Sequence, residues 1–137
     1  MKKAFFLILL TLCTSMTFAQ KVKIKKDAVL IDEVLTYKVE EAGSVQILSS
    51  LSGKEFLVIT SNSYQDDEDE IRIGGKSWVY TLRFMDSGEM MYTDIRPKEI
   101  IAKVFNSKMV EANGTIEAKK LEDFINKYNN AKLKGKL

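Results

Sequence analysis

The residues with the most conspicuous chemistry are Asp66, Asp67, Glu68, Asp69 and Glu70, five carboxylates in succession. Carboxylate oxygens at this density suit calcium, a hard cation that takes about six to eight oxygens and tolerates irregular loops. A calcium site also needs its carboxylates to converge. Consecutive acids on an extended chain point alternately outward and repel one another, and the spacing of a helix–loop–helix calcium site with its closing Glu is absent. The run therefore reads first as a solvated hairpin loop, then as a weak calcium-like site, then as a dock for a basic partner. A second loop, residues 109–120, places Gly114 and Ile116 where a calcium loop has its glycine and apolar position. The leading ligand position is then Met109 and the closing one Lys120, so the main ligands are missing.

The other chemical signal is an aromatic row. Trp78, Tyr80, Leu82 and Phe84 alternate along one strand-like stretch, with Val79, Thr81, Arg83 and Met85 on the opposite face. Aromatic rows on a sheet can stack on sugars or bases, which makes Trp78, Tyr80 and Phe84 candidate ligand-binding residues. The competing reading, which the sequence favours, turns the row inward as core, because the apolar stripes of the following helices need a surface to bury against.

Missing residue types narrow the chemistry further. The chain has no histidine, and its one cysteine is Cys13. Without Cys13 it has none of the nitrogen and sulfur ligands that zinc, copper and iron sites prefer. Triads with a histidine base are impossible. Carboxylate pairs, Ser–Lys dyads and oxygen-ligated calcium stay open. There is no G-x-G-x-x-G, no P-loop and no nucleophile elbow. These absences give an expectation of no catalytic residues, no cofactor and no resident metal.

The elements that must position these residues alternate like strands from residue 21 to 95. KVKI (21–24), AVLID (28–32), VLTYKVE (34–40), SVQIL (44–48), EFLVITSN (55–62), KSWVYTLRFMD (76–86) and EMMYTDI (89–95) are separated by short turns, with IRI (71–73) and Gly74-Gly75 before the sixth. Such connections make an antiparallel meander. Leu35, Tyr37 and Val39 are expected on one face. EFLVITSN is apolar on both faces at its centre and is expected to be a central strand covered on both sides. After Pro97 the period changes to helical. Ile100, Ile101, Val104 and Phe105 form one stripe, and Leu121, Phe124, Ile125 and Tyr128 a second on a helix over about 116–129 that Thr115 can cap. The tail AKLKGKL is expected to fray. The fold class is α+β: an antiparallel β-meander (20–96), as a curved sheet or small barrel-like roll, followed by a C-terminal helical hairpin (97–129) and a basic tail (130–137).

The first residues, MKKAFFLILLTLCTSMTFAQ, have the plan of a secretory signal peptide. Lys2 and Lys3 precede an apolar stretch too short to span a bilayer, and Thr17-Phe18-Ala19 offers a cleavage site between Ala19 and Gln20. Cys13 follows Leu12 rather than a small residue, which argues against a lipoprotein. The sequence carries 21 basic and 19 acidic residues. Cleavage takes two lysines and no acid, so the remaining single domain (20–137) is charge-balanced and free of cysteine. Its balance removes the argument for a nucleic-acid partner. The leader points to an exported protein, periplasmic or secreted, and the rest of the sequence to no transmembrane segment and no disulfide.

The KKAFFLILLTL…FAQ leader, the hairpin run containing SLSGKEFLVI and the closing NSKMVEANGTIEAKKLEDFINKY helix pair resemble small exported proteins of Gram-negative bacteria. That group carries no assigned activity, so the resemblance implies an export context and no site residues. The expected function is a non-enzymatic binding, accessory or structural protein of the envelope, whose partner is an envelope protein or a glycan. The alternatives are a small hydrolase using carboxylates or a Ser–Lys dyad, and a weak calcium binder.

Overall fold

A computed structural model describes residues 20–64 and 77–137. The leader with its Ala19 cleavage position, the acidic run Asp66–Glu70, the IRI stretch and Gly74-Gly75 lie outside the described residues.

Seven strands follow one another: β1 (Val22–Ile24), β2 (Ala28–Ile31), β3 (Val34–Ala42), β4 (Val45–Ser50), β5 (Glu55–Tyr64), β6 (Ser77–Phe84) and β7 (Met90–Thr93). Each pairs antiparallel with the next, so strand order equals sequence order. The meander curls into a half-barrel. Its turns follow from local chemistry. Asp32 and Glu33 both take positive φ, 49° and 69°, as a two-residue type I′ hairpin requires. Gly43 supplies the positive φ, 62°, in the two-residue loop from β3 to β4.

Two β-bulges decide which side chains face inward. Val29 pairs with Tyr37 and Leu30 with Leu35, which leaves Thr36 as an extra residue. The insertion reverses the inside–outside phase. Tyr37 and Val39 are buried, whereas Leu35 is 51% exposed; the expected grouping of Leu35 with them fails for that reason. Leu48 pairs with Leu57 and Ser49 with Glu55, which leaves Phe56 extra. Phe56, Leu57 and Ile59 consequently all enter the one core. The outward Val58 and Thr60 are only partly buried. The two-sided apolar look of this strand is the signature of a bulge, not of cover on both faces. The strand buried on both faces is β6, where Val79 and Thr81 are buried outward and Leu82 and Phe84 inward.

The helices α1 (Pro97–Asn106) and α2 (Ala118–Tyr128) cover the concave side. Pro97 opens α1, where its missing N–H costs nothing. α1 lies against β1 and α2 against β7. Lys108, just past α1, has its carbonyl within reach of Lys120 near the start of α2, and Lys103 on α1 reaches Tyr128 at the end of α2, so the two run antiparallel. Ile100, Ile101, Val104 and Phe105 are buried from α1, and Leu121 and Phe124 from α2. Tyr37 stacks on Phe105 with ring centroids 4.6 Å apart, and Phe56 meets Tyr37 edge-on at 5.2 Å. Phe84 meets Phe124 at 6.4 Å.

Two expectations at the C-terminal end change. Residues 110–116 form a small hairpin, with Val110 bridged to Ile116. α2 therefore starts at Ala118, and Thr115 does not cap it; its hydroxyl lies instead 3.4 Å from the Lys54 ammonium. The tail is folded rather than frayed. It forms a 3-10 helix (Ala131–Lys136), with Leu133 only 8% exposed. The reason lies in β7, whose outer edge needs partners. Tyr92 donates its N–H to Asn129 Oδ1 at 2.9 Å, and Asn130 donates to the Tyr92 carbonyl at 2.8 Å.

Candidate functional site

The helical cover reaches only part of the half-barrel. Beyond it no described helix covers the concave face, and side chains in the inward phase turn polar. Glu41 follows Val39 on β3, Gln46 precedes Leu48 on β4, and Ser61 and Ser63 follow Ile59 on β5. Register brings them together: Glu41 opposes Gln46, Ser61 opposes Tyr80, and Ser63 opposes Trp78. The result is a depression of about 490 Å³ lined by Glu41, Gln46, Ser61, Trp78, Tyr80 and Pro97, among others.

The aromatic row thus divides along its length. Leu82 and Phe84 are fully buried beneath the helices, while Trp78 is 46% exposed and Tyr80 partly buried. For Phe84 the core reading holds and the ligand reading fails, because α2 covers it through Phe124. Trp78 and Tyr80 form one wall of the open end. Trp78 is the chain's one tryptophan.

The floor of this end is a hydrogen-bonded pair. Gln46 donates Nε2–H to Glu41 Oε1 at 3.0 Å. Its own Oε1 is shielded and accepts no bond from the described residues. The floor continues into a second hollow of about 250 Å³, which shares Glu41 and Gln46 and adds Lys25, Lys26 and Lys98. Lys25 and Lys26 come from the β1–β2 connection and Lys98 from the first turn of α1. The two hollows adjoin at Glu41 and Gln46 and together form a trough lined by Trp78 and Tyr80 at one end and by three lysines at the other.

A comparable cleft of about 480 Å³ separates the two helices, lined by Lys103, Lys120, Asp123, Lys127 and Tyr128, among others. Its charges are largely matched already. Lys120 bonds Glu117 at 3.2 Å and Asp123 bonds Lys119 at 3.3 Å, while Lys103 and Lys127 each lie 5.3 Å from the Tyr128 ring centre. The trough, with its half-exposed Trp78 beside a polar floor, is the stronger candidate.

Around the second loop weighed for calcium, Met109 is fully buried and Asn113 Oδ1 accepts from the Thr115 N–H, so both are committed to the loop itself. Among the described residues no three Asp, Glu, His or Cys side chains group as a metal site would need, and no helix is long and apolar enough to cross a membrane.

Sequence reasoning missed Glu41 and Gln46. A signal was present: polar residues in the inward phase face each other across the two-residue loop between β3 and β4, and Ser61 and Ser63 repeat the pattern on β5. Inward polar residues on three successive strands mark where a core ends. Comparison with protein-family models, with curated proteins and with solved structures found no match for the chain.

Proposed function

We propose that this is an exported binding protein whose trough holds a carbohydrate, and that it acts without catalysis. The observation that carries the reading is the half-exposed Trp78, beside Tyr80, above the polar floor of Glu41, Gln46 and Ser61. A sugar ring has an apolar face that packs on an aromatic ring and equatorial hydroxyls that need acceptors and donors nearby. The wall and floor offer both. Glu41 is held as an acceptor by Gln46, which suits it to receiving hydroxyl protons. Carboxylate-pair hydrolysis would ask for a second acid facing it, and Glu41 is the one carboxylate among the described residues lining the trough. Export is supported by the plan of residues 1–19.

Because Trp78 is the single tryptophan, its emission reports the site directly. The test is a fluorescence titration of residues 20–137 against cellotetraose, maltotetraose, chitotetraose, tetragalacturonate, an alginate tetramer and a chondroitin sulfate tetrasaccharide. Saturable change in Trp78 emission with at least one sugar, lost in Gln46→Ala, is the expected result. An unchanged spectrum with all six at millimolar concentration overturns the reading.

A further inference from the structure

Resting on that reading, we infer that the trough selects acidic oligosaccharides: the sugar ring packs at Trp78 and Tyr80 while a carboxylate or sulfate on the same or the next residue meets Lys25, Lys26 and Lys98. Three observations carry this. First, the aromatic hollow and the lysine hollow share Glu41 and Gln46, so one ligand can occupy both. Second, three lysines from two separate elements, the β1–β2 connection and α1, line one hollow of about 250 Å³. Third, none of the three takes part in an ion pair or a side-chain hydrogen bond among the described residues. The nearby Lys21 is instead taken by Glu33 at 3.1 Å. Glu33 acts on Lys25 through space and Glu41 lines the same hollow, yet neither forms an ion pair with these lysines, so an anion placed among them would gain a direct partner.

Glu41 is the opposing charge, since it lines both hollows. It sits at their junction, bonded to Gln46, where sugar hydroxyls rather than the anionic group would lie. Three cations line the hollow against one lining carboxylate, Glu41. The geometry therefore calls for a ligand with a hydroxyl-bearing face and an anionic group displaced along the chain, as in a uronate or a sulfated sugar. The two adjoining hollows, about 490 and 250 Å³, have room for more than one sugar unit.

The six-sugar titration separates this inference from the reading beneath it. The expected result is that the bound members are the uronate or sulfated ones. Methyl-esterified galacturonate or desulfated chondroitin should then bind at least tenfold more weakly than its charged parent. Lys25→Gln, Lys26→Gln and Lys98→Gln combined should remove that preference while leaving the melting temperature and the weaker binding of the neutral form in place. Lys103→Gln with Lys127→Gln, in the helix cleft, should leave the preference intact. Binding of neutral sugars equal to or tighter than the acidic ones overturns the inference and leaves the binding reading standing. Equal loss from the helix-cleft pair also overturns it, because the preference would then be a property of overall charge. No response from any sugar overturns both.

Discussion

Asp86, in the turn after β6, accepts the backbone N–H of Ile116 at 3.0 Å. The same carboxylate meets the Lys54 ammonium at 3.1 Å. One side chain thus joins the β6–β7 turn, the β4–β5 turn and the hairpin before α2. The Ile116 N–H first, and Lys54 after it, hold the Asp86 carboxyl below the 3.8 of a free aspartate. A lowered folded value means that the carboxylate stabilises the fold above the unfolded value and loses that contribution as pH falls through the folded one. Asp86→Ala should cost about 1–2 kcal/mol near neutral pH, the size of a hydrogen bond to a charged group at a partly exposed site. Urea unfolding near pH 7 and near pH 3 checks it. The gap between wild type and variant should be wide at the first and narrowed at the second.

Gly114 lies in the same hairpin with φ of +85°, and a Cβ there would come within 3.3 Å of the Lys54 carbonyl oxygen and 3.4 Å of Phe56 Cδ1. One neighbour is backbone and the other a fully buried ring, so neither can yield easily. Gly114→Ala should destabilise by about 1–3 kcal/mol, combining left-handed strain with the contact. Gly43 has φ of +62° and nothing within 4 Å of its added Cβ; Gly43→Ala should cost less. Thermal melts of the two variants side by side rank them, and equal losses would show that the contact at Gly114 carries no weight.

The meander was legible because turn residues and period-two alternation repeat at hairpin length, and the helices because Pro97 and the Ile100–Phe105 stripe change the period. What stayed hidden was phase. Thr36 and Phe56 are single-residue insertions against their partner strands, and alternation read along one strand cannot reveal a count that depends on two. That is why the sequence groups Leu35 with Tyr37 and Val39 and shows β5 as apolar on both faces. The candidate site was half legible. The face of Trp78 and Tyr80 was right, but whether that face is covered depends on how far α1 and α2 reach across the sheet, which no periodicity encodes. Glu41 and Gln46 are visible only once the two strands are paired.

Tyr37 donates its hydroxyl toward the Val110 and Glu111 carbonyls, 3.1 Å from each, and its ring is stacked on Phe105. Tyr37→Phe removes the donor and keeps the ring, so it should cost about 1 kcal/mol. Tyr37→Ala also empties the aromatic cluster and should cost about 3–5 kcal/mol. Burial raises the phenol above its ordinary 10.0. A raised folded value gives stability that is complete below the unfolded value and lost as pH rises through the folded one. Wild type should therefore weaken in mildly alkaline urea melts above about pH 10, and Tyr37→Phe should weaken less over the same interval. Parallel slopes for the two proteins would remove Tyr37 as the source.

The tail makes the last prediction. β7 pairs with β6 on one side, and on the other its Tyr92 N–H and carbonyl are taken by Asn129 and Asn130. Leu133 anchors the 3-10 helix that follows, and Lys136 Nζ lies 5.6 Å from the Tyr64 ring centre. A chain ending at Tyr128 loses both edge bonds and the Leu133 anchor, and exposes a strand edge of a kind that pairs with other chains. Leu133→Asp keeps the two asparagines but places a charge at the buried anchor, so it should loosen the tail without removing the edge bonds. Light scattering after size exclusion should show the truncated chain self-associating with rising concentration, Leu133→Asp doing so weakly, and wild type keeping one mass. If the truncated chain and wild type keep the same mass at every concentration, the tail does not guard this edge, and β7 is short enough to protect itself.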